Sequence, residues 1–440
     1  MNTINNIALH SSCVCLLMVL LIVSGSEGRV GAKPIQIAPS STRSSSADSP
    51  LLDSLLRTNP LLQPVLQHAS TYEVQILYTQ IDRDSQNQPH FTQHTFRLND
   101  KQYFNPASLV KLPTAALALE KINRLHQPGL TRRSPMATGV AYRCQTAAPY
   151  HPSADSDQVN TVGNYIKRML LVSDNKAYNR LYEFIGQQQL NERLWQLGYP
   201  SVRITRRFAP CDTAANRHTN PIDFYSAATN QIIYHQPAAA NPLSYSSPLG
   251  RINKGRAYRS GGRLIQHPYD FTTANYLSLQ DATTILKTVL FPEAMPAPQR
   301  FMLTPNDYAF LRHYLYSTPH GSRYKPYAAS GFFDSYKKYL FYGRRGSIPS
   351  QSSLRIYNVV GMSHGYLADV AYFIDTTQQT EFMLSAILYV NKNGVLNDGT
   401  YEYASIGLPF LQQLGQTIYS YDTQRPRLFK PVFTNFFKGN

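Results

Sequence analysis

The sequence has little negative charge, few cysteines and, beyond residue 28, no apolar run of membrane-spanning length. A helix needs about 20 apolar residues to cross a bilayer, so this absence excludes a transmembrane helix from the mature chain. The 26 Asp and Glu residues against 42 Lys and Arg residues leave a formal charge of +16. Such a charge favours polyanions as partners, including nucleic acid, anionic lipid and cell-wall polymers.

The basic residues are not arranged as in a nucleic-acid reader. Their densest group lies at 251–263, in a stretch that also contains glycine and serine. The chain has no heptad repeat, no zinc-ligand spacing and no RNA-binding aromatic motif. We therefore expect a solvated basic loop here, no nucleic-acid partner and no metal site.

The first residues are typical of an export signal. Cys13 to Val23 form an apolar core too short to span a bilayer, and small residues follow it. We expect residues 1–28 to be cleaved and the mature protein to be periplasmic or extracellular, without stable membrane insertion. Residues 29–58 are rich in serine and proline with little periodicity, which predicts a disordered tether.

The rest of the chain is interpreted as one domain. It is expected to cover residues 59–425, with insertions at about 128–158 and 236–350, and to leave 426–440 as a C-terminal tail. After removal of the signal only Cys144 and Cys211 remain. Two cysteines in an exported chain can form one disulfide, but nothing in the sequence shows them adjacent. A disulfide and two free thiols both stay open.

Apolar periodicity outlines the elements of this domain. Alternation predicts an early hairpin and a late antiparallel meander, and 3.6-residue periodicity predicts helices between them and at the end. The expected strands are 72–80, 90–98, 354–361, 366–374 and 381–390, and the helices include 159–172, 190–198, 278–289, 307–315 and 403–416. The first and last segments would share one antiparallel sheet flanked by helices, and the middle would form a helical lobe. This is an α/β (α+β) unit.

One helix start carries two reactive side chains. Ser108 and Lys111 lie three residues apart at the beginning of a helix that is apolar nearly all round, and so lie on one helix face. A serine hydroxyl becomes a good nucleophile when a base takes its proton, and a desolvated lysine can be that base. However, Ser-x-x-Lys is expected by chance about twice in such a chain. Other copies in the chain include Ser173 to Lys176 and Ser335 to Lys338.

A second motif, Ser173-Asp174-Asn175, favours a catalytic pair at Ser108 and Lys111 over a chance occurrence of Ser-x-x-Lys. It lies at a predicted helix junction, where all three residue types also serve as helix N-caps. Together with Ser108-Leu-Val-Lys111 after a hairpin and a late strand pair, it resembles the class A serine β-lactamases and related penicillin-recognising serine hydrolases. The resemblance covers about residues 70–420 and implies a β-lactamase/transpeptidase-like fold.

The resemblance implies a role for each matching residue. Ser108 would be the acylated nucleophile, Lys111 would receive its proton, and Ser173 would pass a proton to the departing nitrogen. Asn175 would bind the substrate's side-chain amide, and Asp174 would be structural. The backbone N–H of Ser108 would supply half of an oxyanion hole.

The chain departs from the family at its third motif, Lys-Thr-Gly on the strand beside the serine. The counterpart is either Val359-Val360-Gly361 or Ser363-His364-Gly365, and neither contains the lysine that binds a substrate carboxylate. His364 or a basic residue from the insertions would have to replace it. The second oxyanion N–H would come from just after the glycine, which is Met362 in the first frame.

The second departure concerns deacylation. The loop Arg207 to Thr213 has Ala209 where the family has the glutamate that activates water, and Asp212 is the only carboxylate near it in sequence. Acylation and deacylation need separate proton acceptors, so acylation could persist while turnover is slow.

These observations lead to one expectation and two alternatives. We expect a monomeric serine hydrolase that acts on β-lactam or D-alanyl-type amides of small molecules or cell-wall peptides, without cofactor. The first alternative is a non-hydrolytic protein that binds cell-wall fragments or β-lactams. The second is a peptidase or esterase with a non-lactam substrate.

Overall fold

The computed structural model describes residues 48–209, 211–328, 331–344, 348–349 and 352–437. The expected export signal and residues 29–47 of the expected tether lie outside these ranges. Within them, no helix combines the length and the apolar character that crossing a membrane requires.

The helices are distributed along the whole described chain. They are α1 (Pro50–Thr58), α2 (Gln63–Leu66), α3 (Lys111–Leu125), α4 (Val162–Val172), α5 (Asn175–Ile185), α6 (Gln187–Gln196), α7 (Leu279–Leu290), α8 (Pro305–Tyr316), α9 (Lys325–Ala328), α10 (Leu408–Gln424) and α11 (Thr434–Phe437). A 3₁₀ turn at Ala107–Val110 runs directly into α3.

The long strands lie near the two ends, and short strands lie between them. They are β1 (Gln75–Arg83), β2 (Pro89–Phe96), β3 (Met136–Thr138), β4 (Ile222–Tyr225), β5 (Ile232–Gln236), β6 (Asn253–Lys254), β7 (Ala257–Ser260), β8 (Arg263–Ile265), β9 (Tyr269–Asp270), β10 (Leu354–Ser363), β11 (Tyr366–Asp375), β12 (Thr380–Tyr389) and β13 (Val395–Leu396).

The central sheet has the strand order β10-β11-β12-β1-β2, and every neighbouring pair is antiparallel. The early hairpin therefore joins the late meander, with Tyr78 opposite Leu384. This confirms the prediction that the two ends of the domain share a sheet. All ten residues of β11 are buried, so both faces of the sheet need a covering layer.

Two hydrophobic cores cover the two faces of this sheet. Side chains alternate along β1: Leu77 and Ile81 belong to the core under the helical lobe, whereas Ile76 and Tyr78 belong to the other core. The second core is completed by residues of α1 and α10. The sheet is thus the middle layer between helices.

Helix α3 lies at the centre of the helical lobe. Eleven of its fifteen residues are buried, in agreement with its apolar sequence, and it contacts α4, α5, α6 and α7. The buried carboxylate of Glu120 lies 2.5 Å from the Arg193 guanidinium. Because α3 is packed on nearly all sides, its first residues have a fixed position relative to the sheet.

The prediction of a disordered tether over residues 29–58 is wrong for its last part. Residues Pro50–Thr58 form α1, whose Leu52 and Leu56 are buried in the second core. These leucines are four residues apart and so lie on one helix face. The serine- and proline-rich composition of the whole segment did not indicate this short helix with one apolar face.

The C-terminal part also differs from the prediction. The last long helix begins at Leu408 rather than 403, after a π-helical turn at Tyr403–Gly407, and it continues to Gln424. The expected tail contains α11, and the Phe436 ring lies 5.5 Å from Tyr357 and 5.8 Å from Tyr372. Aromatic side chains thus attach the tail to the sheet.

We predict that Leu56→Ala lowers the free energy of unfolding by about 2–5 kcal/mol, because it opens a cavity in the second core. Leu61→Ala is the matched control, since the Leu61 side chain is 64% exposed, and it should change stability by less than about 0.5 kcal/mol. Urea unfolding measures both. Equal effects would contradict the packing of α1 on the sheet.

Candidate active site

Ser108 lies in the 3₁₀ turn that precedes α3, not in the α-helix itself. The turn is fixed from two sides. Asn105 Oδ1 accepts a hydrogen bond from the Ala107 N–H at 2.9 Å, and Ala107 has a left-handed φ of 44°, which is uncommon for a residue with a side chain. Gly361 of β10 approaches so closely that a Cβ there would lie 2.7 Å from the Pro106 carbonyl oxygen. The end of β10 therefore lies against the serine turn.

The Lys111 amine is the centre of the site. Its side chain is buried, with 2% exposure. The amine lies 2.9 Å from Ser108 Oγ, 2.9 Å from Ser173 Oγ, 2.5 Å from the Ser173 carbonyl oxygen and 2.8 Å from Asn175 Oδ1. The structure thus brings together four of the residues singled out from the two motifs.

The number of contacts bears on the protonation state of Lys111. An ammonium has three N–H donors, and here four oxygens lie within hydrogen-bonding distance. A neutral amine has a lone pair that can accept the proton of a serine hydroxyl, whereas the two carbonyl-type oxygens can only accept. The arrangement therefore suits an amine that exchanges a proton with Ser108 and Ser173.

Burial also favours the neutral form of the Lys111 amine. Desolvation lowers the pKa of Lys111 from 10.5 to about 7; the charge of Asp174 opposes this shift, and the charge of Lys337 adds to it. A lysine with such a pKa is partly unprotonated near neutral pH, and this is the state in which it can act as a base.

The Ser173-Asp174-Asn175 motif lies at the junction of α4 and α5. Ser173 ends α4 in a left-handed conformation with φ of 61°. Asp174 caps α5, because its Oδ1 accepts hydrogen bonds from the N–H groups of Lys176 and Ala177 at 2.7 and 3.0 Å. This cap directs the Asp174 carboxylate into the turn, while Ser173 and Asn175 contact Lys111.

The two candidate frames for the third motif separate in space. Gly361 contacts the serine turn, and Met362 follows it on β10. His364 and Gly365 instead form a two-residue hairpin turn, both with positive φ, and Ser363 pairs with Tyr366 across it. The Gly365 N–H donates to Tyr403 Oη at 2.7 Å, so it does not point at Ser108.

His364 does not supply the missing positive charge. Its Nδ1 is 3.1 Å from Asn105 Nδ2 and 2.6 Å from Ser363 Oγ, and its ring packs on Phe271 at 5.3 Å. Burial, and then the charge of Arg206, lower the pKa of His364 to about 4. The imidazole is therefore neutral at pH 7 and supports the turn instead.

Lys337 is a site residue that the sequence did not reveal. It is 5% exposed, and its charge acts on Lys111. Burial lowers the pKa of Lys337 itself to about 7, and the charge of Asp369 opposes this shift. The hydrogen bonds recorded among the described residues include none from its amine. The sequence indicated it only indirectly, because Lys337 lies inside the Ser-x-x-Lys copy that ends at Lys338. The surrounding stretch has no regular apolar periodicity.

The chain around Lys337 is anchored at the outer edge of the sheet. Lys338 Nζ donates to the Ile356 carbonyl oxygen at 2.6 Å and to Asn358 Oδ1 at 2.8 Å. Asn358 Nδ2 donates to the Lys337 carbonyl oxygen at 2.6 Å. Asp369 Oδ2 accepts from the N–H groups of Tyr339 and Leu340. These bonds attach the segment to β10 and β11, beside the strand whose Val359-Val360-Gly361 stretch lacks the lysine of the third motif.

The loop that begins at Arg207 covers the other side of Lys111. The Arg207 guanidinium is buried and lies 2.8 Å from the Glu183 carboxylate. The Phe208 N–H donates to Asn179 Oδ1 at 2.8 Å, and the Phe208 ring centroid is 5.2 Å from the Lys111 amine. Aromatic surface thus shields this amine from water.

Asp212 does not take the place of the missing glutamate. Its carboxylate lies 3.0 Å from the Arg143 guanidinium and accepts the Ala215 N–H at 2.7 Å. These contacts and its exposure keep it in the surface loop. No group of three or more His, Cys, Asp and Glu side chains that could hold a metal occurs among the described residues.

Part of the sequence matches the profile of one known protein family. Residues 61–232 match the profile of the beta-lactamase enzyme family, and this segment contains Ser108, Lys111 and the Ser173 to Asn175 motif. No curated protein matches the sequence significantly.

Solved structures with a similar fold include several β-lactamases. One from Sphaerobacter thermophilus is 12% identical, with 86% of this chain and 97% of that chain covered and a TM-score of 0.45. The class A enzyme from Clostridium kluyveri is 14% identical, with coverages of 82% and 98% and a TM-score of 0.44. One from Desulfarculus baarsii is 14% identical, with coverages of 85% and 99% and a TM-score of 0.43.

Proposed function

We propose that this chain is a beta-lactamase-like, exported serine hydrolase that forms an acyl-enzyme on Ser108. One observation carries the proposal: a buried lysine amine lies 2.9 Å from each of two serine hydroxyls. A nucleophile, a base whose pKa is near neutrality and a second hydroxyl for proton transfer are the groups that acyl transfer requires.

Acylation would begin with attack of Ser108 Oγ on an amide carbonyl carbon. The hydroxyl proton passes to the neutral amine of Lys111, and the carbonyl oxygen becomes an oxyanion. The backbone N–H groups of Ser108 and Met362 are the donors proposed for this oxyanion, and the close approach of Gly361 to the serine turn supports that pairing.

Collapse of the intermediate would break the carbon–nitrogen bond. The departing nitrogen needs a proton, and Ser173 is the proposed donor because its hydroxyl contacts the Lys111 amine that has just gained one. The Asn175 side chain, beside the same amine, is proposed to bind the substrate's amide group. Ser108 is then left as an ester.

The substrates proposed are β-lactams or D-alanyl-type amides, which carry a carboxylate. Lys337 is proposed to bind that carboxylate, in place of the lysine absent from the end of β10. Its support is a buried side chain whose charge acts on Lys111. Burial lowers the pKa of Lys337 to about 7, and a bound carboxylate would favour its protonated form. A buried cation without a hydrogen-bonded partner is stabilised by an anionic ligand.

Hydrolysis of the ester is the step with least support. Ala209 has no carboxylate, and Asp212 is engaged by Arg143. This favours a second candidate function, a protein that binds β-lactams or cell-wall peptides covalently and releases them slowly. A peptidase or esterase acting on another substrate is the remaining alternative, and D-alanyl peptides and simple esters test it.

We predict that a penicillin increases the mass of the intact protein by the mass of the drug, because Ser108 becomes acylated. Ser108→Ala should abolish the adduct, whereas Lys176→Ala should leave it, since the Lys176 side chain is exposed. Mass spectrometry over time also gives the decay of the adduct: rapid decay indicates a β-lactamase, and persistence indicates a covalent binding protein. An adduct in the Ser108→Ala variant would contradict the assignment of the nucleophile.

The rate of acylation by a neutral ester, which does not depend on the charge of Lys337, should rise with pH and level off above a midpoint near 7. Below that pH Lys111 is protonated and accepts no proton; above it the neutral amine predominates. Quenched mass spectrometry between about pH 5.5 and 9 measures the profile. Lys111→Arg should remove at least 99% of the rate, roughly 10²-fold or more, since a guanidinium stays protonated. A profile without a midpoint near 7 would exclude Lys111 as the base.

Lys337→Met is expected to slow acylation by an anionic penicillin about 10- to 100-fold through loss of a charged contact. Reaction with a neutral ester should change little. The variant also removes a cation that acts on Lys111, so the midpoint of the pH profile should move upwards. Lys325→Met is the control, because the Lys325 side chain is 68% exposed. Equal slowing with both substrates would argue against an anion-binding role.

A further inference from the structure

Four consecutive residues join two loops beside the site. Tyr142 stacks on His218 with ring centroids 3.6 Å apart, and Arg143 forms an ion pair with Asp212 at 3.0 Å. Gln145 Nε2 donates to the His218 carbonyl oxygen at 3.4 Å. Cys144, between them, interacts electrostatically with the Cys211 thiol. The contacts on both sides therefore hold the two thiols together.

We propose that Cys144 and Cys211 form a reversible disulfide that fixes the loop of residues 205–217 over the Lys111 cluster. Both are free thiols in this structure. The pair is the one cross-link that the two mature-chain cysteines can form within the molecule, and the sequence alone gave no reason to place them side by side. The consequence for catalysis rests on the proposed function, whereas the cross-link itself does not.

The two thiols differ in accessibility, and this sets the order of the reaction. Cys144 is exposed and Cys211 is partly buried. Burial raises the pKa of Cys211, and the adjacent Cys144 raises it further. A thiolate is the attacking species in disulfide exchange, so the exposed Cys144 is the thiol that a reagent meets first.

The oxidant in this scheme is a disulfide, either of a small molecule or of a protein. The Cys144 thiolate attacks one sulfur of that disulfide, forms a mixed disulfide and releases one thiol. Cys211 then loses its proton and attacks the Cys144 sulfur, which releases the second thiol. Two thiol protons leave the protein, and two electrons reduce the sulfur–sulfur bond of the oxidant.

The position of Cys211 connects this bond to the site. Phe208, three residues earlier, packs on the Lys111 amine, and Arg207 is anchored to Glu183. Beyond Phe208, Ala209 and residues 211–214 are exposed or half-buried. A covalent bond at Cys211 would add a second anchor on the other side of Phe208, and so would restrain the aromatic cover of Lys111.

The cross-link would also restrict the unfolded chain. It encloses α4, α5 and α6 between its two ends. Loop-closure entropy grows with the length of the enclosed segment, and for a loop of this length in a protein of this size it corresponds to a rise in melting temperature of about 5 °C. This effect does not depend on any catalytic activity.

Peptide mapping of the full chain tests the bond directly. The protein is incubated with oxidised glutathione or with a phosphine reductant, alkylated and digested with trypsin. The oxidised sample should contain residues 144–167 linked to residues 208–217, the tryptic peptides that carry Cys144 and Cys211. The phosphine should abolish the linked species. Cys144→Ser and Cys211→Ser should each lack the linked species.

Thermal unfolding tests the anchor. The oxidised wild type should melt about 5 °C above the reduced wild type, and Cys144→Ser and Cys211→Ser should show no difference between the two conditions. Alkylation of both thiols after oxidation, with no linked peptide, would overturn the proposal. A linked peptide without a change in melting temperature would overturn the anchoring role. Neither result depends on whether Ser108 is acylated, so failure of the proposed function would be recognised separately.

Discussion

The burial of one amine organises the candidate site. Lys111 is a lysine that folding removes almost completely from water, and its amine forms no ion pair with a carboxylate in the part of the chain that the structure describes. The cost of burying that charge lowers the pKa and makes the neutral form available. Two serine hydroxyls and an amide oxygen then become its hydrogen-bonding partners. Without this desolvation, Ser108 would be an ordinary surface serine.

The surrounding structure can be understood as support for that burial. Helix α3 fixes the lysine because it is packed on nearly all sides. The capped junction before α5 brings Ser173 and Asn175 to the amine, and Gly361 allows β10 to approach the serine turn. Phe208 covers the remaining side. These contacts come from separate parts of the chain, so the site forms only when the central sheet and the helical lobe have both assembled.

Charge is distributed unusually around this amine. Where the resemblance leads one to expect a lysine on β10, the strand has Val359. Lys337, in the segment attached to the edge of the sheet, is buried, and its charge acts on Lys111. Anchoring by Lys338, Asn358 and Asp369 makes that placement possible. At the opposite side, the loop that could have supplied a water-activating carboxylate has Ala209 and directs Asp212 to Arg143. The geometry thus favours acylation more than deacylation.

The sequence by itself determined the sheet, the main helices and the cluster of Ser108, Lys111, Ser173 and Asn175. Their signals are local: alternation marks strands, i to i+3 spacing marks a helix face, and the Ser-Asp-Asn motif lies at a helix junction. Tertiary structure alone decided the proximity of Lys337 to Lys111, the neutrality of His364 and the adjacency of Cys144 and Cys211. Each depends on burial or on contacts between distant segments. Burial and contacts between distant segments produce no periodic pattern in the sequence, because they arise only when the chain is packed.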